Sequence, residues 1–130
     1  MRVCLPRRLV PITIALALAL PAAAKVVPRF TAYFTSAFTD GAYQKVAADK
    51  VLKAWKAPAG APVGKKTVLI ALIARDGKLA GLRDNALTGF KPWDDAAVAA
   101  VKAAEPFPPL PKAWAYPTLE VHFHFEAAAK

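Results

Sequence analysis

Apolar residues recur at helical spacing from Ala42 onward: Tyr43, Ala47, Val51 and Trp55 follow one another every four residues, with Ala48 and Leu52 beside them. Lys45, Lys50, Lys53 and Lys56 fall on other faces, so the stretch reads as an amphipathic helix. Asp40 is placed to cap its start, and Pro58, Gly60 and Pro62 end it. Thr67 to Ala74 (TVLIALIA) is apolar on both faces and too short to span a membrane, which predicts a buried central strand. Asp76-Gly77 follows directly and supplies a tight turn, so Leu79 to Asp84 is expected to return antiparallel. After the turn Leu87-Thr88-Gly89-Phe90, a second helix runs through Ala96, Ala97, Val98, Val101 and Ala104. Asp94 or Asp95 should cap it; with Asp94 as the cap, Trp93 and Val98 would staple the entry. Pro106 stops the helix, and Pro106 to Pro111 forms a stiff extended connector able to bury Phe107 and Leu110. In the last segment Leu119, Val121, Phe123 and Phe125 alternate with Thr118, Glu120, His122, His124 and Glu126, the pattern of a strand with one wet face.

These elements predict an α+β domain over residues 42–130, in the order α-β-β-α-β, with a small antiparallel three-stranded sheet and two helices packed on one face. Residues 25–41 show no sustained period of either 2 or 3.6 and read as a linker that packs partly on the domain. Residues 1–24 read as a signal peptide: Arg2, Arg7 and Arg8 precede the apolar run Leu9 to Leu20, and the small residues Ala22 and Ala24 place cleavage after Ala24. The run falls short of the roughly 20 residues a spanning helix needs, and Pro11 and Pro21 interrupt it. A periplasmic location without a stable membrane anchor after cleavage follows.

At 130 residues and 56% apolar content, the chain has room for one core and not two. Cys4, the only cysteine, lies ahead of the apolar run and leaves with the signal, so no disulfide framework holds the remainder. The 18 basic residues fall to 15 without the three signal arginines, against 9 acidic ones, a balance of +6. That charge is scattered, with neither a basic run nor a basic stripe interleaved with aromatics, which argues against nucleic acid as a partner.

Candidate chemistry is thin. Ser36 is the only serine and lies in the linker, no histidine is placed to activate a threonine, and Asp94-Asp95 is better explained by capping than by acid/base work. An enzyme is not expected, and no cofactor is implied. Trp55 and Trp93 read as core residues, whereas Trp114, between Lys112 and Pro117, is open to other roles. His122 and His124 share a strand face with Glu120 and Glu126, so a periplasmic metal-binding protein using the His-x-His strand is the alternative reading. Ligands two apart on a strand lie about 6–7 Å apart, however, and need others to close a coordination shell. A solvated strand face is the simpler explanation, and no metal site is assigned.

Trp55 near Pro58, the strand ending in Arg75-Asp76-Gly77, Leu87-Thr88-Gly89, Asp94 with Ala96-Ala97 and Ala100-Val101, Pro106-Phe107-Pro108-Pro109-Leu110-Pro111 and a closing Leu-x-Val-x-Phe-x-Phe together resemble the carboxy-terminal domain of the TonB/TolA family. The match covers about Ala42 to Phe125 and rests on the order and spacing of elements that singly are unspecific. The resemblance implies a non-catalytic domain that contacts outer-membrane receptors or Tol-system partners, typically by pairing an exposed strand with a partner segment. Strand-edge physics points the same way, since a terminal strand at a sheet edge offers free N–H and C=O groups to an incoming chain. The augmenting strand is accordingly expected at Glu120, Val121, His122, Phe123, His124 and Phe125, with a homodimer as the alternative occupant of the same edge. The anchor and long proline-rich spacer of the family's energy transducers find no counterpart here, which implies a free binding module whose partner is an outer-membrane receptor or another envelope protein.

Overall fold

The computed structural model describes residues 26–129, so the expected signal segment lies outside it. Its elements are β1 (Val26–Phe34), α1 (Gly41–Ala54), β2 (Lys66–Ala74), β3 (Leu79–Ala86), α2 (Lys91–Ala103) and β4 (Thr118–Ala129). The sheet is antiparallel with strand order β1-β4-β2-β3. The α+β class and the two helices on one face agree with the sequence reading. The expected three-stranded sheet and the order α-β-β-α-β are corrected to four strands in the order β-α-β-β-α-β, because nine residues of the stretch read as a linker form β1. That change moves β4 from the rim to the interior, between β1 and β2.

The main core of the described residues lies between the sheet and the helices, with a smaller cluster of Ala61, Trp93 and Ala127 beside it. Leu119, Val121, Phe123 and Phe125 of β4 are fully buried beside Leu69, Ala71 and Ile73 of β2, beneath Ala47 and Val51 of α1 and Ala97, Ala100 and Val101 of α2. The small alanines let the helices approach the sheet closely, and the aromatics fill the remaining volume. Asp40 caps α1 as expected, its carboxylate accepting from the Tyr43 N–H at 3.0 Å. The Tyr43 hydroxyl donates to the Pro108 carbonyl at 2.8 Å, and burial pushes the phenol up to about 12, so it remains a protonated donor. Trp93 is completely buried and its indole N–H donates to the Phe125 carbonyl at 3.1 Å.

Helix α2 begins earlier than the sequence suggests. Its cap is Phe90, which makes no side-chain cap bond, and Pro92 sits in the first turn, where a missing N–H costs little. Asp94 is therefore inside the helix, and the expected Asp94 cap with its Trp93–Val98 staple is replaced by a buried network. The Asp94 carboxylate accepts from the Thr67 hydroxyl at 2.6 Å, the Thr88 hydroxyl at 2.8 Å and the Thr88 N–H at 3.0 Å. One carboxylate thus ties α2 to β2 and to the loop after β3. Burial opposes its ionisation, but the hydrogen bonds from Thr67, Thr88 and Gly89 together outweigh burial and hold the carboxyl below its ordinary value.

The β2–β3 hairpin uses a three-residue loop, Arg75-Asp76-Gly77. The Gly77 N–H donates to the Ala74 carbonyl at 2.9 Å and the Ala74 N–H to the Lys78 carbonyl at 2.7 Å, with positive φ (+92°) at Gly77 alone. The proline-rich connector then lies against this turn, Phe107 N–H donating to the Gly77 carbonyl at 2.9 Å and Leu110 N–H to the Arg75 carbonyl at 3.0 Å. The approach is so close that a Cβ on Gly77 would fall 1.9 Å from the Phe107 carbonyl oxygen. Glycine is required twice over here, for the left-handed conformation and for the contact.

Two stability outcomes follow. Gly77→Ala should lower the unfolding free energy by about 3 kcal/mol or more, because backbone and not a flexible side chain must yield; urea unfolding measures it. Asp94→Ala should cost about 3 kcal/mol. Because the Asp94 carboxyl titrates lower in the folded chain than in the unfolded one, its contribution is complete above the ordinary aspartate range, about 3.9, and fades as pH falls below it. The wild-type chain should therefore lose stability more steeply than the variant below about pH 4.

Candidate strand-pairing interface

Strand β4 sorts the six residues expected to augment a partner strand onto two surfaces. Val121, Phe123 and Phe125 are fully buried against the helices, while Glu120, His122 and His124 lie on the opposite, uncovered face. Their backbone does not form a free edge. One side of β4 pairs with β2 from Lys66↔Glu126 to Ala74↔Thr118, and the other with β1 from Val26↔Ala129 to Phe34↔Val121. The expectation of an exposed terminal strand is thus corrected: a segment of the same chain, N-terminal to the helices, occupies the position in which an incoming strand would pair.

The β1–β4 ladder is regular over nine consecutive residue pairs. Phe30 and Phe34 of β1 point to the helix side, with Ala32 between them opposite Phe123. The Phe30 ring stacks on Phe123 at 5.9 Å and tilts against Phe125 at 5.2 Å; Phe34 stacks on Phe38 at 5.8 Å. Arg29, Thr31 and Tyr33 face the other way, and Tyr33 meets His124 edge-on at 4.5 Å. The sequence signal for this strand is the alternation of Phe30, Ala32 and Phe34 with Thr31 and Tyr33. It is obscured because Tyr33, an aromatic, sits on the wet face and Pro28 interrupts the strand.

Among the described residues the two outer rims of the sheet, on β3 and β1, are poor acceptors by comparison. The β3 ladder shifts register twice against β2 and carries Arg83, Asp84 and Asn85 on exposed positions. The outer rim of β1 contains Pro28, which has no N–H to offer. The edge that β4 presents to β1 is therefore more uniform in its hydrogen bonding than either outer rim.

Among the described residues no helix covers the face bearing Glu120, His122, His124 and Glu126. The Glu120 carboxylate lies 2.9 Å from His122 Nε2, at an exposed position. Among the described residues no group of three or more His, Cys, Asp or Glu side chains is arranged to hold a metal ion, so His122 and His124 gain no third ligand from elsewhere in the sheet. His124 is held below its ordinary value by burial first, then by Lys66 of β2 and by His122, against the opposing pull of Glu126. Tyr33 and Arg29 approach this cluster from β1.

A histidine whose folded value is lowered accepts its proton first in the unfolded chain. Stability should then fall as pH drops from the ordinary histidine value, about 6.5, towards the lower folded one, and level off below it. His124→Gln should flatten the pH dependence of Tm between about pH 7 and 5, a difference that thermal unfolding across that range measures directly.

The fold has relatives among known proteins. Residues 40–125 match the family model described as TonB C terminal, and the chain belongs to that family. Among solved structures it is similar to one titled "Solution NMR Structure of TolAIII Bound to a Peptide Derived from the N-terminus of TolB", with 25% sequence identity and a TM-score of 0.52 over 66% of this chain and 74% of that one. No curated protein matches the chain. The family match begins at residue 40, so it takes in α1, β2, β3, α2 and β4 up to Phe125, and β1 lies outside it.

Proposed function

We propose that this chain is a non-catalytic, exported protein-binding module of the cell envelope, which recognises an extended segment of a partner protein by strand pairing on the β1 side of β4. The observation that carries the reading is the edge itself: β4 from Glu120 to Phe125 lies in a regular antiparallel ladder on its β1 side, and that ladder partner lies outside the family unit. Membership of the TonB C-terminal family supports it, and so does the similar TolAIII structure, which holds a TolB peptide. A periplasmic setting fits both this family and the signal-like sequence of residues 1–24. The partner would be an outer-membrane receptor or another envelope protein, and envelope transport is the process such a module would serve.

Strand pairing supplies affinity through main-chain hydrogen bonds and specificity through alternate side chains. The buried row Val121, Phe123 and Phe125 gives the edge an apolar side, and Glu120, His122 and His124 give it a polar one. A partner segment should present the complementary alternation. Its positive charge would speed encounters with an acidic partner surface without deciding which partner binds.

Site-specific photocrosslinking tests this reading. A photoreactive residue introduced at Glu120 or His122, on the open face of β4, should give adducts with a partner in envelope extracts, mapping to one extended segment. The same residue at Leu52 or Lys102, on exposed helix positions, should give none. Adducts confined to the helix positions would contradict strand pairing.

A further inference from the structure

We infer that β1 is an exchangeable occupant of the β4 edge, so that the chain covers its own binding site and the residues of β1 define the ligand that fits: an extended segment with an aromatic-x-small-x-aromatic pattern. This deepens the strand-pairing function proposed above and rests on it.

Three features of the molecule lead there. First, β1 is a rim strand in which no residue is fully buried, whereas β2 and β4 on the same sheet each contain several residues with no exposure at all. Second, the unit that matches the family begins at residue 40, and every fully buried residue of the cluster belongs to it, while β1 adds only the partly buried Phe30, Ala32 and Phe34 at its margin. Third, the chain provides a hinge. Thr35, Ser36 and Ala37 are exposed, while the next residue, Phe38, is buried at 4% exposure and packs edge-on against Tyr43 at 5.3 Å and Trp114 at 5.3 Å. Phe38 pins the start of α1, so β1 can leave without dragging the helix with it.

The two strand faces specify the incoming segment. On the helix side it must supply a ring over Phe123 and Phe125 where Phe30 now sits, a small side chain in place of Ala32 opposite Phe123, and a second ring in place of Phe34 near Phe38. On the open side it meets Glu120, His122, His124 and Glu126, for which Arg29, Thr31 and Tyr33 are the internal model. A ligand of this pattern gains the hydrogen bonds that β1 gives up, so the net affinity is set by the difference between two similar strands, and weakening β1 strengthens binding.

The test locks the strand in the full chain. Arg29 and Glu126 face each other across the β1–β4 ladder on the open side, so a Cys4→Ser chain carrying Arg29→Cys and Glu126→Cys can be held closed by oxidation and released by reduction. The probe is a fluorescent synthetic peptide with the sequence of residues 26–34, VVPRFTAYF. The reduced chain should bind it at least tenfold more tightly than the oxidised chain, and serines in place of the two terminal-pattern phenylalanines of the peptide should abolish binding. In the otherwise unaltered chain, Phe30→Ala should raise peptide affinity at least tenfold, with Ala32→Pro acting in the same direction.

Equal binding by the oxidised and reduced chains, or no binding to either, overturns the proposal. A disulfide that joins position 29 of one chain to position 126 of another supports the exchange, since β1 then occupies the β4 edge of a second copy. Equal binding with photocrosslinks still confined to the sheet would leave strand pairing standing and remove only the exchange of β1, so the two readings fail separately.

Discussion

The apolar side chains of β4 from Leu119 to Ala127 all point at the helices, and this burial fixes the strand, with Phe30 of β1 adding a ring over Phe123 and Phe125 at its outer edge. With β2 paired on one side and the helix layer above, the backbone of β4 is positioned before its other side is considered. An edge held this way is preorganised: its N–H and C=O groups stay in register for any strand that arrives, and binding does not require the acceptor to fold. The side chains that would contribute specificity are held equally well, since Phe123 and Phe125 can neither turn outward nor collapse.

The remainder of the architecture protects this arrangement from its ends. Gly77 and the proline-rich connector clasp the β2–β3 turn, Asp94 joins α2 to β2, and Trp93 bonds the β4 backbone at Phe125. Arg75 adds a clasp near the start of β4, donating to the carbonyls of Trp114 and, at 2.7 Å, of Tyr116. None of these links passes through β1. An open edge of this quality would also be a hazard, since unpaired strands recruit other copies, and β1 answers that hazard from within the same chain.

Much of this was legible in the sequence where one period dominated. The spacing of Tyr43, Ala47 and Val51 defined α1 and its buried face, the run from Thr67 to Ala74 defined β2, and the alternation from Leu119 to Phe125 defined β4 and separated its two surfaces. The order of motifs also sufficed to recognise the family. What stayed hidden were pairings between distant segments. Nothing local in Val26–Phe34 announces that its neighbour is β4, and Pro28 and Tyr33 blur the alternation that would mark it as a strand. The same limit explains Asp94: capping is the local use of an aspartate near a helix start, but Thr67, twenty-seven residues away, and the loop at Thr88 give it a better-satisfied place inside the fold. The expected free edge at β4 is instead an inner strand, because the segment read as a linker pairs along it.

Amide hydrogen exchange read residue by residue along β4 is the most direct test of the central claim that this strand has one permanent neighbour and one replaceable one. Successive amides of an inner antiparallel strand point to opposite neighbours. Those bonded to β1 should exchange through local opening, markedly faster than those bonded to β2, whose exchange should require global unfolding. Uniform protection at the global level on both sides of β4 would show β1 to be as permanent as β2 and would contradict the claim.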